Sequence, residues 1–213
     1  SRVNYEIIVV DDGSTDNTYQ KLKALQPKIP ELVVIRHAKN VGQSVALVSA
    51  AKCARNEWLV TLDGDGQNNP KDILKLYAIC QGKVHLNKPF VIFGNREKRN
   101  DTLVRRLSSR IANKIRSSLL KDSCPDTGCS LKMFPRDLFL QLPHFNHLHR
   151  YLPALFIRQG AEAYNIKVDH RPRLKGVSKY GIKNRLWVGI FDLIGVLWLQ
   201  KRPCQVEVSR ESN

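Results

Sequence analysis

Asp63-Gly64-Asp65-Gly66-Gln67 places two carboxylates one residue apart, directly after the apolar run Trp58-Leu59-Val60-Thr61-Leu62. At the end of a buried strand such a pair can point to one side of a turn, and the glycines let the backbone come close to a ligand. Hard oxygen ligands in this arrangement suit Mg2+ or Mn2+ bridging a diphosphate. By itself the segment reads first as a surface Asp-Gly turn. It has company, however: Asp11-Asp12-Gly13-Ser14-Thr15-Asp16, Asn40-Val41-Gly42, Gly94-Asn95-Arg96 and Asp126-Thr127-Gly128-Cys129. A basic set accompanies the acids. Arg96 follows an apolar run, and Arg106, Arg110 and Lys114 recur every four residues, so the last three share a helix face. Guanidinium forks bind phosphate oxygens bidentately, so Arg96, Arg106 and Arg110 can form a phosphate clamp. The helical pair reads otherwise as a solvated or membrane-facing basic surface.

The elements that must position these groups follow from periodicity. Short β-branched runs at residues 5–10, 32–35, 58–62 and 90–94 read as buried strands. Between them, helical patterns occupy a stretch ending near residue 25, residues 41–54 and a segment opening at Pro70. This alternation predicts an α/β fold, a mostly parallel sheet with helices on both faces. Ligands in such sheets gather beyond the carboxyl ends of the strands, where the acids and Arg96 fall. Residues 102–121 read as a basic helix, and residues 124–136 as a loop leading into a strand.

The chain has 213 residues, with 35 Lys+Arg against 19 Asp+Glu, a formal charge of +16. An anionic partner is expected. Nucleic acid is set aside, because the basic residues are not interleaved with exposed aromatics in a known motif. The five scattered cysteines fit a reducing, cytoplasmic compartment better than a disulfide framework or a zinc site. An apolar stretch at residues 185–199 is interrupted by Asp192 and flanked by Lys and Arg. At ~1.5 Å per residue it is too short to cross a ~30 Å hydrocarbon core. It reads as an amphipathic helix lying in a membrane interface, drawn to anionic cytoplasmic-leaflet lipid, or else packed on the domain.

In this order and at these separations, the motifs resemble family 2 glycosyltransferases of the GT-A, Rossmann-like fold. Within that family they look most like the polyprenyl-phosphate glycosyltransferases, the group including dolichol-phosphate mannosyltransferase. The resemblance covers about residues 5–182. It implies transfer of a sugar, with inversion, from a GDP- or UDP-linked donor to a polyprenyl phosphate at the cytoplasmic face of the membrane. It places Asp12 at the nucleotide base or ribose with Asp11 beside it, and Asp63, Asp65 and Gln67 around the metal and the donor diphosphate. Arg96 and Arg110 are implied near the acceptor phosphate, with Arg106 beside them. Arg173 and Lys179, with Arg171 and Ser178, are expected in a lid that closes over the phosphates. Asp126 matches an acid near the acceptor. It is the general base if the acceptor is a hydroxyl, and a positioning or loop-capping residue if the acceptor is a phosphate, which is already ionised.

The organisation expected is a transferase domain at residues 1–182, an interfacial helix at 183–202 and a tail at 203–213. Relatives begin with one further strand on the nucleotide side, and this sequence opens at what corresponds to their second. Two other readings stay open: a soluble transferase acting on a sugar or protein hydroxyl and, because of that strand, a catalytically silent membrane-associated or nucleotide-binding module.

Overall fold

The computed structural model describes residues 3–96, 116–122, 124–172 and 182–202. The first strand, β1 (Ile7–Asp11), leads through α1 (Thr18–Leu25) to β2 (Leu32–Arg36), which pairs with it in parallel from Ile7 opposite Leu32 to Asp11 opposite Arg36. Then come α2 (Gln43–Cys53), β3 (Trp58–Thr61), α3 (Asp72–Lys83) and β4 (Phe90–Arg96). After the helical residues 116–120 follow β5 (Lys132–Pro135), α4 (Arg136–Leu140), α5 (Leu152–Arg158), β6 (Glu162–Val168) and α6 (Ile182–Gln200).

Strands β3, β5, β4 and β6 form a second sheet in that order. Here β4 and β6 run parallel, whereas β5 runs antiparallel between β3 and β4. The α/β architecture expected from the sequence is present, with β5 as the reversed strand. Its reversal follows from the chain path: the loop before β5 turns at the carboxyl ends of β3 and β4, so the next strand must run back.

Alternation along β4 builds the core on both faces of this sheet. Val91 and Phe93 point into a cluster with Phe134, Phe139, Leu152, Leu155 and Phe156, against which Leu47 and Val48 of α2 also pack. Phe90 and Ile92 point the other way, onto Leu131, Met133, Val168 and, from α3, Leu76 and Cys80. Burial on both faces explains why the Phe90–Phe93 run is uninterruptedly apolar. Each such aromatic or aliphatic side chain contributes about 1.5–3 kcal/mol when fully buried.

Among the described residues β1 pairs with β2 and β3 pairs with β5, and the two sheets share no ladder. They are tied at both ends. The Glu6 carboxylate, just before β1, accepts the backbone N–H groups of Arg55 and Asn56 just before β3, at 2.7 and 3.2 Å. At the opposite ends, residues 41–43 bridge Asp12 and Asp63.

Several boundaries differ from the sequence reading for local reasons. The second helix begins at Gln43, because Gly42 has φ of 96° and cannot be helical. The third begins at Asp72, with Pro70 in a preceding turn closed by Asp72 N–H on the Asn69 carbonyl. The strand before Asp63 stops at Thr61, where the chain turns toward Ser130.

Among the described residues no helix is long and apolar enough to cross a membrane. Helix α6 packs inward through Leu193, Val196 and Leu197 on the larger core cluster. Tyr151 Oη donates to the Gly189 carbonyl at 3.0 Å, His147 Nδ1 meets Asp192 Oδ2 at 2.9 Å, and Arg158 Nε donates to the Leu199 carbonyl at 3.0 Å. Its outer face shows Phe191, Ile194 and Trp198, which are 71%, 57% and 57% exposed. The helix is therefore docked on one side and apolar to solvent on the other.

Candidate active site

Asp11 ends β1 and Asp12 follows it, where the strand passes into a tight turn. Asp11 is buried, accepts the Ser14 N–H at 3.0 Å and faces Arg36 Nε at 3.5 Å. Asp12 clamps the loop after β2: its carboxylate accepts the N–H groups of Val41 and Gly42 at 3.0 and 2.8 Å and meets His37 Nδ1 at 2.8 Å. Burial raises the Asp12 pKa, but the hydrogen bonds from His37, Val41 and Gly42 outweigh it and hold the carboxyl below the ordinary range. Gly13 makes this close approach possible. It has φ of 69°, and a Cβ there would lie 2.5 Å from the Asn40 nitrogen.

The Asp63–Gln67 turn sits at the end of β3, across residues 42 and 43 from Asp12. Gln43 Nε2 donates to Asp63 Oδ1 at 2.8 Å, and the Asp63 N–H donates to Ser130 Oγ at 3.1 Å. Asp65 Oδ1 accepts the Gln67 N–H at 3.1 Å. Burial pushes the Asp63 pKa up, the Ser130 hydrogen bond opposes it, and the charge of Asp65 raises it further. Segment 169–171 runs alongside this turn. Arg171 N–H donates to the Gln67 carbonyl at 2.8 Å, and His170 Nε2 lies 3.4 Å from Gln67 Nε2.

Arg96, at the end of β4, meets Asp126 in the loop before β5. Its Nε donates to Asp126 Oδ2 at 2.6 Å and its Nη2 to Oδ1 at 2.7 Å, a two-point pairing with a nearly buried carboxylate. The loop wraps the guanidinium closely. A Cβ on Gly128 would lie 3.0 Å from Arg96 Nη2. Arg96 and Asp63 are near enough for their charges to interact.

The structure thus brings Asp11, Asp12, Asp63, Asp65, Gln67, Arg96 and Asp126 to the carboxyl ends of β1, β3 and β4. Arg106, Arg110, Arg173 and Lys179 lie outside the described residues. Gln43, Ser130, Asn68 and His170 also meet at this site and were not singled out for it by sequence. Gln43 looks like an ordinary first-turn residue, Ser130 belongs to a loop without a motif, and His170 reads as structural. Among the described residues no group of three or more His, Cys, Asp or Glu side chains is placed to hold a metal ion.

The sequence profile described as "Glycosyl transferase family 2" matches residues 1–142. Dodecaprenyl-phosphate galacturonate synthase of Rhizobium johnstonii is 32% identical over 206 residues, covering 92% of this chain and 58% of that protein. Undecaprenyl-phosphate 4-deoxy-4-formamido-L-arabinose transferase of an Enterobacter species is 30% identical over 196 residues, covering 91% of this chain and 58% of that one. The chain therefore spans rather more than half the length of these curated relatives. In fold it is similar to glucosyl-3-phosphoglycerate synthase of Mycobacterium tuberculosis, solved with Mn2+, UDP-glucose and phosphoglyceric acid. The TM-score is 0.59 at 16% identity, over 91% of this chain and 67% of that one. The same enzyme solved with Mg2+ and UDP gives 0.61 at 14% identity, over 91% and 67%. The chain belongs to glycosyl transferase family 2.

Proposed function

We propose that this chain transfers a sugar, with inversion, from a GDP- or UDP-linked donor to a polyprenyl phosphate at a membrane surface. The observation that carries the reading is the Arg96–Asp126 pair. A hydroxyl acceptor needs a carboxylate available to take its proton, yet both oxygens of Asp126 already accept hydrogen bonds from Arg96. A phosphate acceptor brings no such requirement, since its second pKa is about 6. It needs an oriented cation instead, and Asp126 orients one. The names of the two relatives above, both transferases of polyprenyl phosphates, support the same acceptor class.

In the transfer, an acceptor phosphate oxygen forms a bond to the anomeric carbon as the bond from that carbon to the donor diphosphate breaks. The electron pair leaves with the nucleotide diphosphate. Asp12 and the loop it clamps form the nucleotide side, with Asp11 beneath them. Arg96 holds the acceptor phosphate in line, together with Arg106 and Arg110 of the basic segment, and Arg173 and Lys179 cover the phosphates.

A divalent ion, Mg2+ or Mn2+, fits the donor set. Such ions take one or two carboxylates plus substrate phosphates and water. The raised pKa of Asp63 beside Asp65 also marks a pair of acids that a cation would relieve. Asp63, Asp65 and Gln67 would hold it, and when bound it neutralises charge on the departing diphosphate. The outer face of α6, with Phe191, Ile194 and Trp198 above Lys201 and Arg202, would rest against anionic lipid on the cytoplasmic leaflet.

The test supplies the full chain with GDP- and UDP-sugars, Mn2+ and either polyprenyl phosphate or sugar hydroxyl acceptors. Nucleotide diphosphate release should depend on the polyprenyl phosphate. Release driven equally by hydroxyl acceptors would contradict the reading.

A further inference from the structure

Lys132 is 4% exposed, buried within the sheet. It occupies the first position of the central strand β5, opposite Thr61 of β3 and Phe93 of β4. An ammonium taken out of water is strongly disfavoured unless it is compensated, so a lysine here requires an explanation that packing does not give. Among the described residues no carboxylate lies within ion-pair distance of its Nζ, and it takes no part in the Arg96–Asp126 pair. It donates instead to two backbone carbonyls, of Thr127 at 3.3 Å and of Cys129. Burial lowers its pKa from the ordinary 10.5, and nearby charges, those of Asp63 and Asp126 among them, oppose this only in part.

Those two carbonyls belong to a short arc with a different task at each end. At one end Asp126 pairs with Arg96. At the other, Ser130 accepts the Asp63 N–H and donates to Asn68 Oδ1 at 3.2 Å, while the Ser130 carbonyl accepts from Thr61 Oγ1 at 2.6 Å. Thr127 and Cys129 lie between these ends. Within the arc the Cys129 N–H also donates to the Asp126 carbonyl, at 3.2 Å.

We propose that Lys132 is a positioning residue: its buried ammonium pins the Asp126–Ser130 arc and thereby sets the placement of the Arg96–Asp126 pair relative to the Asp63–Gln67 turn. The assignment rests on the function proposed above, because it assigns those two features to the acceptor phosphate and the donor diphosphate. A charge buried under backbone carbonyls fixes a loop more sharply than an apolar contact does, since hydrogen bonds to a charged donor are directional and stronger than those between neutral groups. Lys132 does not touch the reacting atoms. It acts through the loop.

The test compares the full chain with Lys132→Met, which keeps the unbranched stem, and Lys132→Arg, which keeps the charge. Amide hydrogen exchange is followed across residues 124–131, with calorimetry of UDP and GDP in Mn2+ and steady-state transfer to polyprenyl phosphate. In Lys132→Met, exchange in the arc should quicken while β4 stays protected. Its kcat should fall about 10- to 100-fold, as for other residues that orient a site from outside, with nucleotide affinity near that of the wild type. Lys132→Arg should restore arc protection and part of kcat. Wild-type exchange in the arc of Lys132→Met would overturn the assignment, as would a loss of nucleotide affinity that matches the loss in kcat. A wild-type chain that transfers to no phosphate acceptor would count against the function instead, and the exchange comparison would still decide the role of Lys132.

Discussion

Arg96 and Asp126, thirty positions apart in the chain, are joined by hydrogen bonds of 2.6 and 2.7 Å that use both oxygens of the carboxylate. In the function proposed above, this relationship gives Asp126 a different part from the one its motif suggests for a hydroxyl acceptor. It is the partner that orients an arginine. The consequence can be tested by changing each side of the pair.

Asp126→Asn keeps the shape of the side chain but removes its charge and turns one acceptor into a donor facing Nη2 or Nε. Losing one charge-assisted hydrogen bond of about 1.5–3 kcal/mol should lower kcat/KM about 10- to 100-fold. The loss should appear mainly in KM for the phosphate acceptor. Arg96→Lys should be at least as damaging, because a lysine cannot make the two-point contact. Steady-state kinetics with acceptor varied at saturating donor measures both. An Asp126→Asn enzyme with unchanged acceptor KM but no turnover would point to a general base.

Asp63 provides a test of opposite sign for stability and function. Burial, with Asp65 adding to it, holds its pKa above the ordinary value of 3.8. The folded chain therefore binds this proton more tightly than the unfolded chain, and the stability it gives is lost as pH rises through the raised value. Wherever it is ionised, the metal-free Asp63 is a destabilising group. Asp63→Asn should raise the melting temperature of the metal-free chain at pH 7, with the advantage shrinking as pH falls through the raised value and gone below pH ~4. The same change should abolish Mn2+-dependent binding of nucleotide diphosphate. Thermal melts across pH, with calorimetry beside them, check both. A lower melting temperature at pH 7 would contradict this account of Asp63.

How far these features were legible in the sequence depends on the distance over which they are determined. Strands β1 to β4 could be read because each is a β-branched or aromatic run closed by a turn, and the acids at their ends followed at once. Asp63 and Asp65 were legible for the same reason. The pairing of Arg96 with Asp126 was not, since it depends on the path of the loop between Asp122 and Lys132 and on a close approach at Gly128. Strand β6 was missed because Glu162-Ala163-Tyr164-Asn165-Ile166-Lys167-Val168 mixes polar with apolar residues at a sheet edge, with a half-exposed pattern. Lys132 runs against the apolar pattern of a central strand, and only the carbonyls above it explain its place. Gln43 and His170 reach the donor turn from segments far away in the chain, so spacing carried no signal for them.

The exposed face of α6 predicts lipid contact that is separable from folding. Phe191→Ser with Trp198→Ser removes two large apolar groups that the core does not use, so the thermal transition should stay within a few degrees. Sedimentation with anionic vesicles should show binding several-fold weaker than for the unaltered chain. Binding should also fall with added salt, as the contribution of Lys201, Arg202 and their basic surroundings is screened. Vesicle binding unchanged by the double substitution would move the membrane surface elsewhere on the molecule.

The acceptor phosphate is the centre of the account, and the most direct measurement compares two lipids that differ in that group alone. Vesicles containing either a polyprenyl phosphate or the matching polyprenol are incubated with the full chain, Mn2+ and a radiolabelled nucleotide sugar, and the label entering the lipid fraction is counted. Label should enter the phosphate lipid and not the alcohol, with one nucleotide diphosphate released per sugar transferred. Equal labelling of the polyprenol, or labelling of the polyprenol alone, would contradict the account by making Asp126 a base and Arg96 its accessory.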